Sequence, residues 1–140
     1  MVGYSGTPLP RKLGLKAGHR LLLSDAPAGF LEALGELPEG VEVLDKPRAS
    51  CDVIVAFFRD EDPLARRFSS LASRLRPAGG LWIAWPKKAA KVTTTLDEGV
   101  VRRIGLAEGL VDNKVCAIDE VWSGLRFVVR VRERSKPAKG

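Results

Sequence analysis

Apolar positions in this chain follow two rhythms: short unbroken runs, and stripes at helical spacing. Leu21-Leu22-Leu23, Val53-Ile54-Val55-Ala56-Phe57-Phe58 and Leu81-Trp82-Ile83-Ala84-Trp85 run without a polar break. A strand that is apolar throughout is covered on both faces, the pattern of a parallel sheet between layers of helix. Phe30, Leu31, Leu34 and Leu37 recur at helical spacing until Pro38 and Gly40 stop them. Leu64, Phe68, Leu71 and Leu75 form a second stripe, begun by Asp62-Pro63 and ended by Gly79-Gly80, with Arg66, Arg67, Arg74 and Arg76 turned mostly away. A short strand over Val41–Leu44 lies between the first helix and the strand over 52–58. Thr95-Leu96-Asp97-Glu98 reads as a capping box opening a helix that buries Leu96, Val100, Val101 and Ile104. Near the start, Thr7 and Pro8 open a short helix that packs Leu9 and Leu13 and ends at Gly14.

The last two strands, Val111–Ile118 and Leu125–Val131, are joined by only the six residues Asp119–Gly124. So short a link forces an antiparallel pair, because a parallel crossover needs about a dozen residues or more. Leu125, Phe127, Val129 and Val131 share one face, and Arg126, Arg130 and Arg132 lie on the other, with Val128 among them. The expected fold is a single-domain three-layer α/β sandwich over residues 1–132. Its sheet is mostly parallel, with a C-terminal antiparallel hairpin, and residues 133–140 form a disordered basic tail.

Composition narrows the function classes. The 140 residues suffice for one packed core. No apolar run approaches the ~20 residues of a membrane span, and no signal-peptide pattern opens the chain, so no membrane partner is expected. Cys51 and Cys116 lack C-x-x-C spacing and read as structural thiols of a cytoplasmic protein. His19 is the only histidine and precedes the first strand, which excludes His-rich metal sites and disfavours a Ser-His-Asp triad. Six cations (Arg126, Arg130, Arg132, Arg134, Lys136 and Lys139) against Glu133 give the last fifteen residues +5, leaving +1 of the total +6 for the rest. The domain is nearly neutral. No aromatics interleave with these cations, so non-specific nucleic-acid contact through the tail is only weakly suggested.

Parallel sheets place their chemistry beyond the carboxyl ends of their strands. After the strand over 81–85 come Lys87, Lys88 and Lys91, then Thr95 at a helix start. Amines, a hydroxyl and free N–H groups suit a phosphate or carboxylate, and a solvated loop is the other reading. In the hairpin connection, Asp119, Glu120 and Trp122 read either as a binding lip or as a turn with the indole packed on the sheet. Asp25 beside Ser24 is the best-placed carboxylate for acid–base work. It has no identifiable partner, and no catalytic residue is assigned.

The order of elements resembles that of class I S-adenosylmethionine (SAM)-dependent methyltransferases, and Arg76-Pro77-Ala78-Gly79-Gly80-Leu81 is similar to the L-x-P-G-G phrase before a late strand of that family. The resemblance implies a cofactor crevice at Ser24, Asp25 and Gly29 after the first strand, with Asp45 ending the second strand on the ribose. Two departures stand out. The family's G-x-G-x-G loop is here Ser24-Asp25-Ala26-Pro27-Ala28-Gly29, and the stretch from Asp45 to Asp52 is too short for the usual helix and strand. The phrases Tyr4-Ser5-Gly6-Thr7-Pro8-Leu9, Trp85-Pro86-Lys87-Lys88, Val111-Asp112-Asn113-Lys114 and Asp119-Glu120-Val121-Trp122-Ser123-Gly124-Leu125-Arg126-Phe127 also resemble those of an uncharacterised bacterial family of short proteins, which implies no activity. The expected function is a non-catalytic methyltransferase-like domain that needs no cofactor and binds a small anionic ligand or a protein partner. A SAM-dependent methyltransferase with a divergent cofactor loop is the alternative.

Overall fold

In the computed structural model, which describes residues 7–133, the chain forms one six-stranded sheet with helices on both faces. The elements are α1 (Leu9–Lys12), β1 (Arg20–Ser24), α2 (Phe30–Leu34), β2 (Glu42–Leu44), β3 (Cys51–Phe57), α3 (Glu61–Ala72), β4 (Leu75–Pro86), α4 (Glu98–Ala107), β5 (Val111–Ala117) and β6 (Trp122–Val128). Sheet order is β2-β1-β3-β4-β6-β5. The first four strands are parallel, and β6 runs antiparallel to both of its neighbours. The expected α/β class and terminal hairpin are therefore present. Of the tail expected to be disordered over 133–140, Glu133 ends a 3-10 turn over Val131–Glu133, and the rest lies outside the described residues.

Alternate residues of each strand feed two cores, as the unbroken apolar runs require. Leu22, Ile54, Leu81, Ile83, Leu125 and Phe127 face Leu64, Phe68 and Leu71 of α3 and Val101 and Ile104 of α4. Leu21, Leu23, Val53, Val55 and Trp82 face Leu13, Phe30 and Leu34. Trp82 is fully buried, and its indole N–H donates to the Leu13 carbonyl at 3.1 Å. That bond satisfies the one polar atom which burial would otherwise strand.

Several local expectations are corrected. Gly79 and Gly80 do not end α3, which stops at Ala72, but lie inside β4. They are glycines because of close approach. A Cβ at Gly79 would overlap the Asp52 carbonyl, and one at Gly80 would overlap the Arg126 guanidinium. Arg126 is accordingly half-buried across β4 rather than solvated. Helix α2 ends at Leu34 because Gly35 takes φ 77, so Leu37 lies beyond it. Strand β6 starts at Trp122, three residues earlier than expected, and Val131 is exposed instead of sharing a face with buried Leu125 and Phe127.

The capping box is also rearranged. Asp97, not Thr95, caps α4, its carboxylate accepting from the Val100 N–H at 2.9 Å. Thr95 instead accepts from the Glu61 N–H at 2.7 Å, and Thr94 donates to the Arg59 carbonyl at 2.5 Å. The loop before α4 thereby supplies the cap that α3 lacks in its own sequence, where Asp60, and not the expected Asp62, is the N-cap residue and makes no side-chain capping bond.

Candidate functional site at the carboxyl end of the sheet

Strand order reverses between β1 and β3: the chain leaves β1 toward β2 on one side and β3 toward β4 on the other. Such a switch point opens a crevice beyond the strand ends. Here a cleft of about 350 Å³ lies at that point, lined by Asp25 and Pro27 after β1, by Phe57, Phe58, Arg59 and Asp60 from the end of β3, by Pro63 and Arg67 of α3, and by Trp122. The pairing of Pro86 with Trp122 fixes the hairpin connection at this same carboxyl end.

Arg67 spans the crevice. From α3 it donates to the Asp25 carboxylate at 2.5 Å and to the Ser24 hydroxyl at 2.8 Å, and its guanidinium lies 5.5 Å from the Phe58 ring centroid. The opposite wall is aromatic. Phe57 meets Trp122 edge-to-face at 5.1 Å and Phe30 at 5.0 Å. Phe30 also lines a second cavity of about 530 Å³, together with Leu9, Lys12, Ala33, Lys87, Ile118, Asp119 and Glu120 among others.

The residues singled out in the sequence are thus scattered and do not gather at one site. Asp25 and Trp122 line the switch-point cleft; Lys87, Asp119 and Glu120 line the second cavity. Lys88 and Lys91 are exposed and line neither of these. Thr95 is engaged by α3 and sits beside the acidic residues Asp60, Glu61 and Asp62. Gly29, at φ 82, precedes α2, a helix of only five residues. Asp45 is exposed and outside the cleft lining. The register explains why: β2 pairs Leu44 with Leu22, so Asp45 stands level with Leu23, two residues short of Asp25. That is about 7 Å along the strand direction.

Trp122 is buried, and Asp119 builds the turn, its Oδ1 accepting from the backbone N–H groups of Val121 and Trp122 at 2.8 Å each. The sequence reading missed Arg67, which it turned toward solvent. One signal was available: side chains of a helix tilt back toward its N-terminus, and α3 starts where β3 ends. A long cation in its second turn therefore reaches the strand ends. His19 lies before β1, at the opposite end of the sheet, where its Nδ1 accepts from the Lys16 N–H. Burial pushes the Cys51 and Cys116 thiols up, and neither lines the switch-point cleft.

No protein-family model and no curated protein matches the chain. Solved structures do. A SAM-dependent methyltransferase from Aquifex aeolicus aligns over 84% of this chain and 85% of its own, with TM-score 0.56 and 21% identity. Magnesium protoporphyrin IX methyltransferase from Synechocystis, with bound S-adenosylhomocysteine (SAH), aligns over 86% and 78%, with TM-score 0.53 and 13% identity. Aeropyrum pernix fibrillarin, with natively bound SAM, aligns over 90% and 70%, with TM-score 0.52 and 18% identity. At such identities the likeness is one of fold. With its parallel strands, its switch-point crevice and its inserted antiparallel β6, the chain has the Rossmann-like α/β fold of the SAM-dependent methyltransferases.

Proposed function

We propose that this chain is a non-catalytic, methyltransferase-like domain that binds a small anionic ligand in the switch-point cleft. One observation carries the reading: two arginines, Arg59 and Arg67, line a cleft walled by Phe57, Phe58 and Trp122. Arg67 is already oriented by Ser24 and Phe58, and Arg59 has no ion pair among the described residues. Planar guanidinium beside aromatic rings suits an anion carried on a flat or apolar body. Among the described lining residues none is a nucleophile with an adjacent base; the Asp25 carboxylate is paired with Arg67. A cytoplasmic setting agrees with two free thiols.

Methyl transfer from SAM is the second reading, favoured by the SAM and SAH bound in proteins of the same fold. The residues present do not fit that cofactor well. The loop after β1 has one glycine where close backbone approach is needed, Asp45 stops short of the cleft, and the Arg67–Asp25 pair crosses it.

The test is a thermal-shift titration with SAM, SAH and simple aryl anions. A ligand at a hundred times its dissociation constant adds about 2.7 kcal/mol, raising Tm by roughly 5–15 °C. A saturable shift with an aryl anion, lost in Arg67→Gln, is expected. A shift with SAM at micromolar concentration, and none with the aryl anions, would replace this reading with the methyltransferase one.

A further inference from the structure

We infer that Asp25 is an internal stand-in for the ligand's acidic group, and that the ligand is therefore a carboxylate on an aryl or otherwise apolar body. This rests on the ligand-binding reading of the switch-point cleft. The two partners of the Arg67–Asp25 pair are held unequally. Arg67 is fixed by contacts that do not involve Asp25: the Ser24 hydroxyl at 2.8 Å and the Phe58 ring at 5.5 Å. Its guanidinium stays aimed into the cleft when Asp25 leaves.

Asp25 is held by little. Its side chain is 64% exposed, and its backbone takes φ 56, a left-handed conformation that costs an L-residue energy. Exposed ion pairs are weak, so an incoming carboxylate displaces Asp25 at small cost. It inherits the planar fork of Arg67, with the Ser24 hydroxyl beside it. Phe57, Phe58 and Trp122 then cover the ligand's body. Asp25 sets an affinity threshold by competing for the site from within.

The experiment titrates benzoate and phenyl phosphate into the full chain, followed by calorimetry and by the Arg67 side-chain NMR resonance. The variants are Asp25→Asn, Asp25→Gly, Asp60→Asn and Arg67→Gln. Asn and Gly both accept a positive φ, so the loop is retained. Benzoate affinity is expected to rise about five-fold in both Asp25 variants, the equivalent of losing one exposed ion-pair competitor. It should rise less than two-fold in Asp60→Asn, whose carboxylate lines the same cleft without pairing to Arg67, and be lost in Arg67→Gln. An equal gain in the Asp25 and Asp60 variants would reduce the effect to general charge and overturn the inference. So would no gain in the Asp25 variants, or tightening confined to phenyl phosphate, with the binding reading left standing. Absence of saturable binding in every form would remove the binding reading itself.

Discussion

Replacing Trp122 with alanine separates a packed indole from a surface lip. Trp122 is 7% exposed, stacks edge-to-face on Phe57 at 5.1 Å, and stands where β6 begins against Pro86 at the end of β4. A buried tryptophan removes about 200 Å² from water, which at about 25 cal/mol per Å² is worth roughly 5 kcal/mol. The edge-to-face geometry adds about 0.5–1.5 kcal/mol, and partial collapse of the site recovers some of the loss. Trp122→Ala is therefore expected to cost about 3–5 kcal/mol, a large share of the 5–15 kcal/mol by which a typical domain is stable. In a domain of this size each kcal/mol moves Tm by about 3–5 °C, so the melting temperature should fall by about 10–20 °C. Urea denaturation followed by far-UV circular dichroism measures the change without relying on the deleted fluorophore, and Trp122→Phe should recover most of it. A loss below about 1 kcal/mol with unchanged denaturant slope would refute the packing argument, because an exposed lip side chain loses no more than that.

The glycines of α4 give predictions of opposite sign. Gly105→Ala places a Cβ inside the ring of Phe127, which is fully buried and edge-to-face with Phe68 at 5.2 Å. Overpacking should outweigh the ~1 kcal/mol gain in helix propensity and leave a net loss of about 1–2 kcal/mol in urea melts. At Gly99 the nearest atom to an added Cβ is the Asp97 carboxylate at 3.5 Å, so Gly99→Ala should be neutral or slightly stabilising by the same assay. Thr95→Val removes the acceptor for the Glu61 N–H and should cost about 0.5–2 kcal/mol, with faster amide exchange confined to the first turn of α3. The Cys51 thiol is raised, first by burial, above its ordinary 9.0. The unfolded chain therefore releases this proton at lower pH than the folded one. Stability should be independent of this thiol below about pH 8 and fall as pH rises through and beyond 9, less steeply in Cys51→Ala by urea titration.

Local sequence specified the strands and the class of fold because burial on both faces leaves a direct trace: a run with no polar residue. Leu21–Leu23, Val53–Phe58 and Leu81–Trp85 all occupy the sheet interior, and the short link before Trp122 forced the hairpin. The resemblance in element order pointed to the fold that the solved structures share, and the sequence also located the chemistry in general terms, beyond the strand ends. Which residues meet there was decided by tertiary register. Asp45 follows a strand like a ribose ligand, yet β2 pairs with the first half of β1 and stops below the crevice. Thr95 opens a helix by pattern, yet its hydroxyl is taken by α3. Gly79 and Gly80 look like a helix stop, yet they make room for a carbonyl and a guanidinium from other strands. Arg67 reads as a solvated helix cation, yet it crosses the switch point to Asp25, 42 residues away. Periodicity encodes which face of an element is buried, since that depends on neighbours along the chain. Runs that are apolar on both faces have no alternation to fix how far one strand slides past another, and that offset, set by packing across the whole sheet, decides which polar groups meet.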